Sequence, residues 1–340
     1  MTQPKLPEQM TAVHLQTYSG AAGLQIVQCP VPQPGPKEVL VKVAASPLNP
    51  SDLSFLQGRY GFQKPLPTIP GFEGSGTVVA VGRDTGLMGR FLLGKRVACV
   101  TQQQGDGLWA EYVATSVNYA LPLLGAVGLE EGAMSVVNPV TAVALIDIAK
   151  KAGHKTVLNT AGASVLGLML HRLGQQEGIE VVNIVRRAEQ VEQLNAQGMH
   201  TVLNSSDPHF AEHLHDLCHQ QNIRLAFDAI AGDTPQQLLA AMPNHSRVTV
   251  YGNLAQQDLA LTSGGLIFQG KSVDGFWLTR WVGQKSFLPS LLMWRRAQTL
   301  LLTALKTEVR ARYPLDQAQQ AVADYEATMS GGKVLLVVGE

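Results

Sequence analysis

The sequence predicts an α/β protein built from an all-β or barrel-like lobe and a doubly wound parallel sheet. Three observations predict it. Residues 1 to about 120 read as short β segments punctuated by Pro and Gly, without a long helical period. From about residue 126, apolar strands alternate with helical stretches, the pattern of a parallel sheet covered on both faces. The first of those strands runs directly into a glycine-bearing turn that opens a helix. A chain of 340 residues, at about 150 residues per domain, also gives roughly two domains.

Each element follows from its own pattern. Val31 to Pro36 (VPQPGP) is a rigid polar connector, and Glu38 to Ala44 and Gly76 to Val81 alternate inward and outward residues as strands do. Lys155 to Asn159 is an apolar strand, and Val165 to Leu173 repeats at helical spacing. Glu180 to Val185 is a second strand, followed by a helix through Val191 and Leu194. Thr201 to Leu203, Arg224 to Ile230, Arg247 to Tyr251 and Ser272 to Leu278 continue the strand series. The tail holds one long amphipathic helix, a second from about Leu315 to Met329, and a last strand, Lys333 to Val338.

Composition narrows the function classes. Lys plus Arg and Asp plus Glu number 26 each, so there is no global basic field for nucleic acid or an anionic membrane. With 45% hydrophobic and 15% charged residues, a largely disordered chain is excluded. Cys29, Cys99 and Cys218 are scattered and odd in number, so they make neither a disulfide framework nor a thiolate cage. No apolar run reaches the ~18 residues of a membrane span, and Arg295 and Arg296 interrupt the most apolar late segment. Met1 to Lys5 lack a signal core and transit-peptide character. The expectation is a soluble cytoplasmic protein acting on a small molecule, with no nucleic-acid or membrane partner.

The turn after the first α/β strand reads Thr160-Ala161-Gly162-Ala163-Ser164-Val165-Leu166-Gly167. It is a G-x-S-x-x-G version of the dinucleotide fingerprint, with Ser164 in place of the second glycine. Small residues there let backbone amides and a helix N-terminus meet a pyrophosphate. An ordinary tight turn has the same look in isolation; the flanking βαβ unit is what gives the motif weight. An NAD site ends its second strand in an acid that holds the ribose diol. This strand ends in Val185-Arg186-Arg187, and two guanidinium groups suit the 2′-phosphate of NADPH.

His209, His213, His215 and His219 fall in one predicted helix as two i,i+4 pairs. That spacing presents two imidazoles to one ion, but no HExxH-type carboxylate accompanies them, and a solvated helix face is the plainer reading.

Four further segments carry a family resemblance: Leu48-Asn49-Pro50-Ser51-Asp52-Leu53 with Leu56-Gln57-Gly58-Arg59-Tyr60-Gly61; Pro70-Gly71-Phe72-Glu73-Gly74-Ser75-Gly76; Asn138-Pro139-Val140-Thr141-Ala142; and Val250-Tyr251-Gly252-Asn253 with Gly275-Phe276-Trp277-Leu278-Thr279. The chain resembles the medium-chain dehydrogenase/reductase superfamily. Within it, the likeness is to the zinc-free quinone oxidoreductases and 2-enoyl thioester reductases, above all the mitochondrial-type enoyl reductases. The resemblance implies a GroES-like β-barrel domain over residues 1–125 and 285–340, and a Rossmann domain over 126–284. It assigns Tyr60 as the catalytic acid and counts Asn49 among the catalytic residues. It places Asn138 and Thr141 beside the nicotinamide and its ribose, and Gly162, Ala163, Ser164, Val165, Leu166 and Gly167 along the pyrophosphate. Arg186 and Arg187 take the 2′-phosphate of NADPH. Tyr251, Gly252, Asn253, Leu254, Phe276, Trp277, Leu278, Thr279 and Lys333 complete the cofactor cleft. The likeness also implies a homodimer joined through the last sheet strand. Two departures stand out: the family loop usually has a glycine where Val165 stands, and the acyl pocket has no mappable counterpart.

Zinc-dependent members carry a Cys near the start, a Gly-His-Glu segment and a four-cysteine lobe. Here the first position falls in Ser46-Pro47-Leu48-Asn49, Phe72 replaces the histidine, and three dispersed cysteines cannot build the lobe. No metal is expected at the catalytic centre. Hydride delivery without a Lewis acid needs an acceptor that is already electron-poor. Three function classes remain: a 2-enoyl thioester reductase, with Tyr60 as proton donor; a quinone reductase sharing the cofactor residues; and a non-catalytic NADPH-binding regulatory protein. A phenol near the reacting centre argues against the third.

Overall fold

The computed structural model describes residues 6–101 and 103–339. The reading of Met1 to Lys5 lies outside them. The chain separates into two compact units, Met1–Val137 with Ala297–Glu340, and Asn138–Arg296.

The second unit is built on a six-stranded sheet whose spatial order is Val202–Asn204, Glu180–Val185, Thr156–Asn159, Leu225–Asp228, Arg247–Val250 and Ser272–Gly275. Every neighbouring pair is parallel. Helices Val165–Glu177, Ala188–Ala196, Phe210–Gln220 and Thr234–Ala241 fall between successive strands. The order in space is 3-2-1-4-5-6 of the strands in sequence, so the chain reverses direction between Thr156–Asn159 and Leu225–Asp228. A doubly wound sheet opens its ligand crevice at that reversal, at the carboxyl ends of the strands. Neighbouring Ile184 and Val185 belong to different cores: Ile184 packs with Leu214, Leu238 and Val248, and Val185 with Leu194 and Met199. That division puts apolar cover on both faces, which is why these strands read as continuous apolar runs.

The first unit holds the β lobe. Its main sheet runs Val309–Pro314, Lys333–Val337, Glu38–Pro47, Glu73–Val81, Arg96–Val100 and Ala120–Pro122, with Tyr112–Ser116 also paired to Glu38–Pro47. Gln9–Leu15 and Leu24–Pro30 form a separate antiparallel pair. The C-terminal tail therefore completes the lobe that the N-terminal residues begin. One core joins Val39, Val41, Leu48, Phe55, Trp109, Val322 and Leu336.

Two expectations change. The strand expected over Ser272 to Leu278 stops at Gly275, and Leu278–Gly283 is a helix. The compact units divide after residues 137 and 296. Before the first division, the helix Leu129–Ala133 is held to the β lobe, its Leu129 carbonyl accepting from the Ser75 hydroxyl at 2.5 Å. At the second, Arg296 pairs with Asp147 and Glu177 of the sheet unit, whereas Gln298 bonds Leu124 N–H and the Pro122 carbonyl of the β lobe. The β lobe also contains short helices, Pro50–Leu56 and Gly86–Leu92.

Candidate active site

In the sheet unit the glycine turn is fixed by packing. A Cβ on Gly162 would lie 2.6 Å from Asn183 Cβ, and one on Gly167 would lie 2.4 Å from the Gly162 carbonyl oxygen. Neither position accepts a side chain without movement. Ser164, at φ −74°, needs no glycine and caps the helix instead, its hydroxyl accepting the Gly167 N–H at 3.1 Å. Val165 and Leu166 are the first helical residues and half-buried. The turn is thus a helix N-terminus with small residues before it, a chemistry suited to phosphate.

Beneath the turn lies a buried polar layer. The Thr160 hydroxyl donates to Asp228 Oδ1 at 2.7 Å and accepts from Ala229 N–H at 2.8 Å. Asp228 also accepts from the N–H groups of Ile230 and Ala231, and burial pushes its carboxyl above the usual range. The Tyr251 hydroxyl donates to Asn159 Oδ1 at 3.3 Å, and Asn159 donates to Asn183 Oδ1 at 3.1 Å. Gly252 and Phe276 to Leu278 are half-buried, whereas Asn253, Leu254 and Thr279 are exposed. Asn138 is half-buried and Thr141 buried, both on the helix Val137–Lys151.

Arg186 and Arg187 are exposed, and among the described residues neither guanidinium has an acidic partner. The backbone N–H groups of both donate to Gln190 Oε1, at 3.3 and 3.2 Å, which fixes the turn that carries them.

In the β lobe, Asn49, Asp52, Glu73 and Lys333 form a buried charged cluster. Asn49 Nδ2 donates to Glu73 Oε1 at 3.0 Å, and Lys333 Nζ donates to Asn49 Oδ1 and to the Leu48 carbonyl. Glu73 Oε2 accepts from the N–H groups of Val136 and Val137. Asp52 accepts from Asn49 N–H at 2.9 Å and Phe72 N–H at 3.1 Å. Burial dominates all three charged groups: it raises Asp52 to about 7, raises Glu73, and lowers Lys333. Asn49 is fully buried with both ends of its amide engaged, and the Lys333 ammonium is spent inside the lobe.

Tyr60 sits in an aromatic group beside this cluster. Its ring centroid lies 4.6 Å from Phe72 and 5.1 Å from Phe62, and Phe55 lies 5.5 Å from Phe72. Asp52 holds the backbone that carries Phe72, and Phe72 packs on Tyr60.

The alcohol dehydrogenase GroES-like domain profile matches residues 35–125, and the zinc-binding dehydrogenase profile matches residues 165–292. A Mesorhizobium loti protein provisionally called an NADPH:quinone reductase is 36% identical, covers 98% of this chain and 99% of its own, and superposes at a TM-score of 0.88. The chain belongs to the medium-chain dehydrogenase/reductase superfamily, in its quinone oxidoreductase and enoyl thioester reductase branch. Mitochondrial enoyl-[acyl-carrier-protein] reductase of Dictyostelium discoideum is 28% identical over 261 residues, 73% of this chain and 71% of the relative. A mycobacterial protein solved with NADPH is 25% identical at a TM-score of 0.83, over 96% of this chain and 99% of that one.

This medium-chain dehydrogenase/reductase is thus an oxidoreductase of the nicotinamide-dependent kind. Phe72 has its ring in the aromatic group. Sequence reasoning singled out neither Asp52 nor Glu73, although both lie inside the segments that carry the resemblance. The signal was available: an acid in a run of glycines and apolar residues must find a partner once buried. The polar layer of Asn159, Thr160, Asn183 and Asp228 was missed for the same reason. Each lies within or at the end of an apolar strand. No helix among the described residues is long and apolar enough to cross a membrane.

Proposed function

We propose that this protein is a zinc-independent, NADPH-dependent reductase of an activated C=C bond, with a 2-enoyl thioester as its substrate class. The observation that carries the cofactor half is the Arg186–Arg187 turn, where two exposed guanidinium groups, without acidic partners among the described residues, follow the second strand. Such a pair holds a dianionic 2′-phosphate by bidentate, charge-assisted bonds, and an NAD site would need an acid there instead. The turn from Gly162 to Gly167 offers backbone amides and a helix N-terminus to the pyrophosphate, and Tyr251 to Leu254 with Phe276 to Thr279 border the rest. Bound NADPH supplies a hydride to the carbon β to a thioester carbonyl.

The chain supplies the proton. A phenol O–H donates a proton to the α carbon or to the enolate oxygen. The reading gives that role to Tyr60. Asn49 and Lys333 are assigned to support: their buried cluster with Asp52 and Glu73 fixes the strand and helix from which the Tyr60 loop departs. Phe72 leaves no imidazole ligand for zinc, so the acceptor's own conjugation must stabilise the developing charge.

A quinone reductase is the second reading, favoured by the 36% identity to the Mesorhizobium loti protein over nearly the whole chain. Following NADPH oxidation with crotonyl-CoA, a long-chain enoyl-CoA and a benzoquinone tests the proposal. Turnover of an enoyl thioester at a kcat/KM well above that of the quinone supports it. Turnover of the quinone alone overturns the thioester assignment.

A further inference from the structure

Four of the nine histidines fall within the eleven residues from His209 to His219, on the helix Phe210–Gln220 and its N-cap. Neither the dinucleotide turn nor the Tyr60 group uses them. All four are exposed, while Leu214 and Cys218 of the same helix are buried against the sheet. At 100° per residue, the histidines and the intervening Glu212 and Asp216 share one outward arc of the helix.

The two i,i+4 pairs differ in geometry. The rings of His215 and His219 stack with centroids 4.2 Å apart and planes 28° from parallel. Those of His209 and His213 stand 6.0 Å apart. A carboxylate borders one histidine of each pair: His215 Nδ1 lies 3.4 Å from Asp216 Oδ1, and His209 Nδ1 lies 3.5 Å from Glu212 Oε2. A carboxylate on one ring nitrogen fixes the imidazole's orientation, the arrangement that supports a metal-ligating histidine.

We propose that the outer face of the helix Phe210–Gln220 binds a divalent transition-metal ion, chelated by the imidazoles of His215 and His219. Zinc–imidazole bonds of about 2.0–2.1 Å place two ligand nitrogens of a tetrahedral ion roughly 3.4 Å apart. The two imidazoles already stack with ring centroids 4.2 Å apart, which puts both on the same stretch of the helix surface beside one ion. Asp216 is oriented to hold His215 through Nδ1, which leaves Nε2 for the ion. No group of three or more His, Cys, Asp and Glu among the described residues is arranged to hold a metal. The site is therefore a two-imidazole chelate completed by water, suited to borderline ions such as Zn²⁺, Ni²⁺ or Cu²⁺ and not to Mg²⁺ or Ca²⁺. The wider His209–His213 pair is the weaker of the two.

The test uses the full chain, stripped with EDTA and desalted, and titrated calorimetrically with ZnCl₂ and separately with MgCl₂. Wild type is expected to bind zinc at one tight site per chain and to show no magnesium heat. His215→Ala and His219→Ala should each weaken that site at least tenfold, whereas His209→Ala with His213→Ala should leave it in place. Zinc should raise the Tm of wild type and not that of His215→Ala/His219→Ala, whose NADPH-dependent activity without added metal should be unchanged. The proposal fails if the variant lacking His215 and His219 binds zinc as wild type does. It fails equally if the tight site disappears on replacing Cys29, the half-exposed thiol in the β lobe.

Discussion

Lys333→Met removes the only cation of the buried cluster while keeping an unbranched chain of similar length. Lys333 is 2% exposed and donates to the Leu48 carbonyl and to Asn49 Oδ1, so the variant removes both of these buried hydrogen bonds. It also leaves Asp52 and Glu73, 1% and 0% exposed, without their counter-charge. Breaking a buried pair from one side costs about 3–5 kcal/mol. For a unit of this size, at roughly 2–4 °C per kcal/mol, the Tm of the β lobe should fall by about 6–20 °C. The pH dependence has a definite sign. Burial lifts Asp52 from 3.8 to about 7, so the folded lobe holds that proton more tightly than the unfolded chain. Its contribution is complete below the unfolded pKa and is lost as pH rises through about 7. Without Lys333 both acids move further up, so the variant should suffer more at pH 8 than at pH 5.5, where protonation removes the uncompensated charge. Thermal and urea unfolding at the two pH values measure this. A variant as stable as wild type at pH 8, or one hurt more in acid, would refute the electrostatic account of the cluster.

Cofactor preference follows from the arginine turn: NADPH should bind at least tenfold more tightly than NADH, about 1.4 kcal/mol, in titrations read by tryptophan fluorescence. Arg186→Ala with Arg187→Ala should erase that ratio and leave NADH affinity unchanged; equal affinities in wild type would end the claim. The strand Ser272–Gly275 is the last in the sheet, and its outer edge is unpaired among the described residues, so a second copy would cover it to give a homodimer. Light scattering at micromolar concentration should return the dimer mass, and a monomer mass would show the edge is protected otherwise. Because Phe72 stands at the histidine position, reductase activity should survive EDTA, and loss of activity restored by zinc would contradict the metal-free chemistry.

Much of the sheet unit was legible because its strands are buried on both faces and bounded by turns. Lys155 to Asn159, Glu180 to Val185 and Arg247 to Tyr251 each lie within one residue of the observed strands at either end. The helix Val137–Lys151 was not legible, since Val140, Ala142, Val143, Ala144, Leu145 and Ile146 are all buried and leave no apolar stripe to read. The Ser272 strand was overextended because Phe276, Trp277 and Leu278 continue an apolar run across a change from strand to helix. The glycine turn and the arginine pair could be located locally, since their chemistry is contiguous in sequence. The Asn49–Lys333 contact spans 284 residues of chain, and only folding brings that lysine inward. Tyr60 stood out through a motif, but its packing on Phe72 depends on sheet register that sequence periodicity does not fix.

The most direct measurement is kcat for Tyr60→Phe on an enoyl thioester and on a quinone, each with NADPH. The substitution keeps the ring that packs on Phe62 and Phe72 and removes only the hydroxyl. Loss of a general acid typically costs 10²–10⁴-fold, so turnover of crotonyl-CoA should fall by roughly that factor while the Kd for NADPH stays as in wild type. Quinone turnover should be largely kept, because a reduced quinone takes its protons from water. Wild-type turnover of crotonyl-CoA by the variant would contradict the account and make Tyr60 a packing residue.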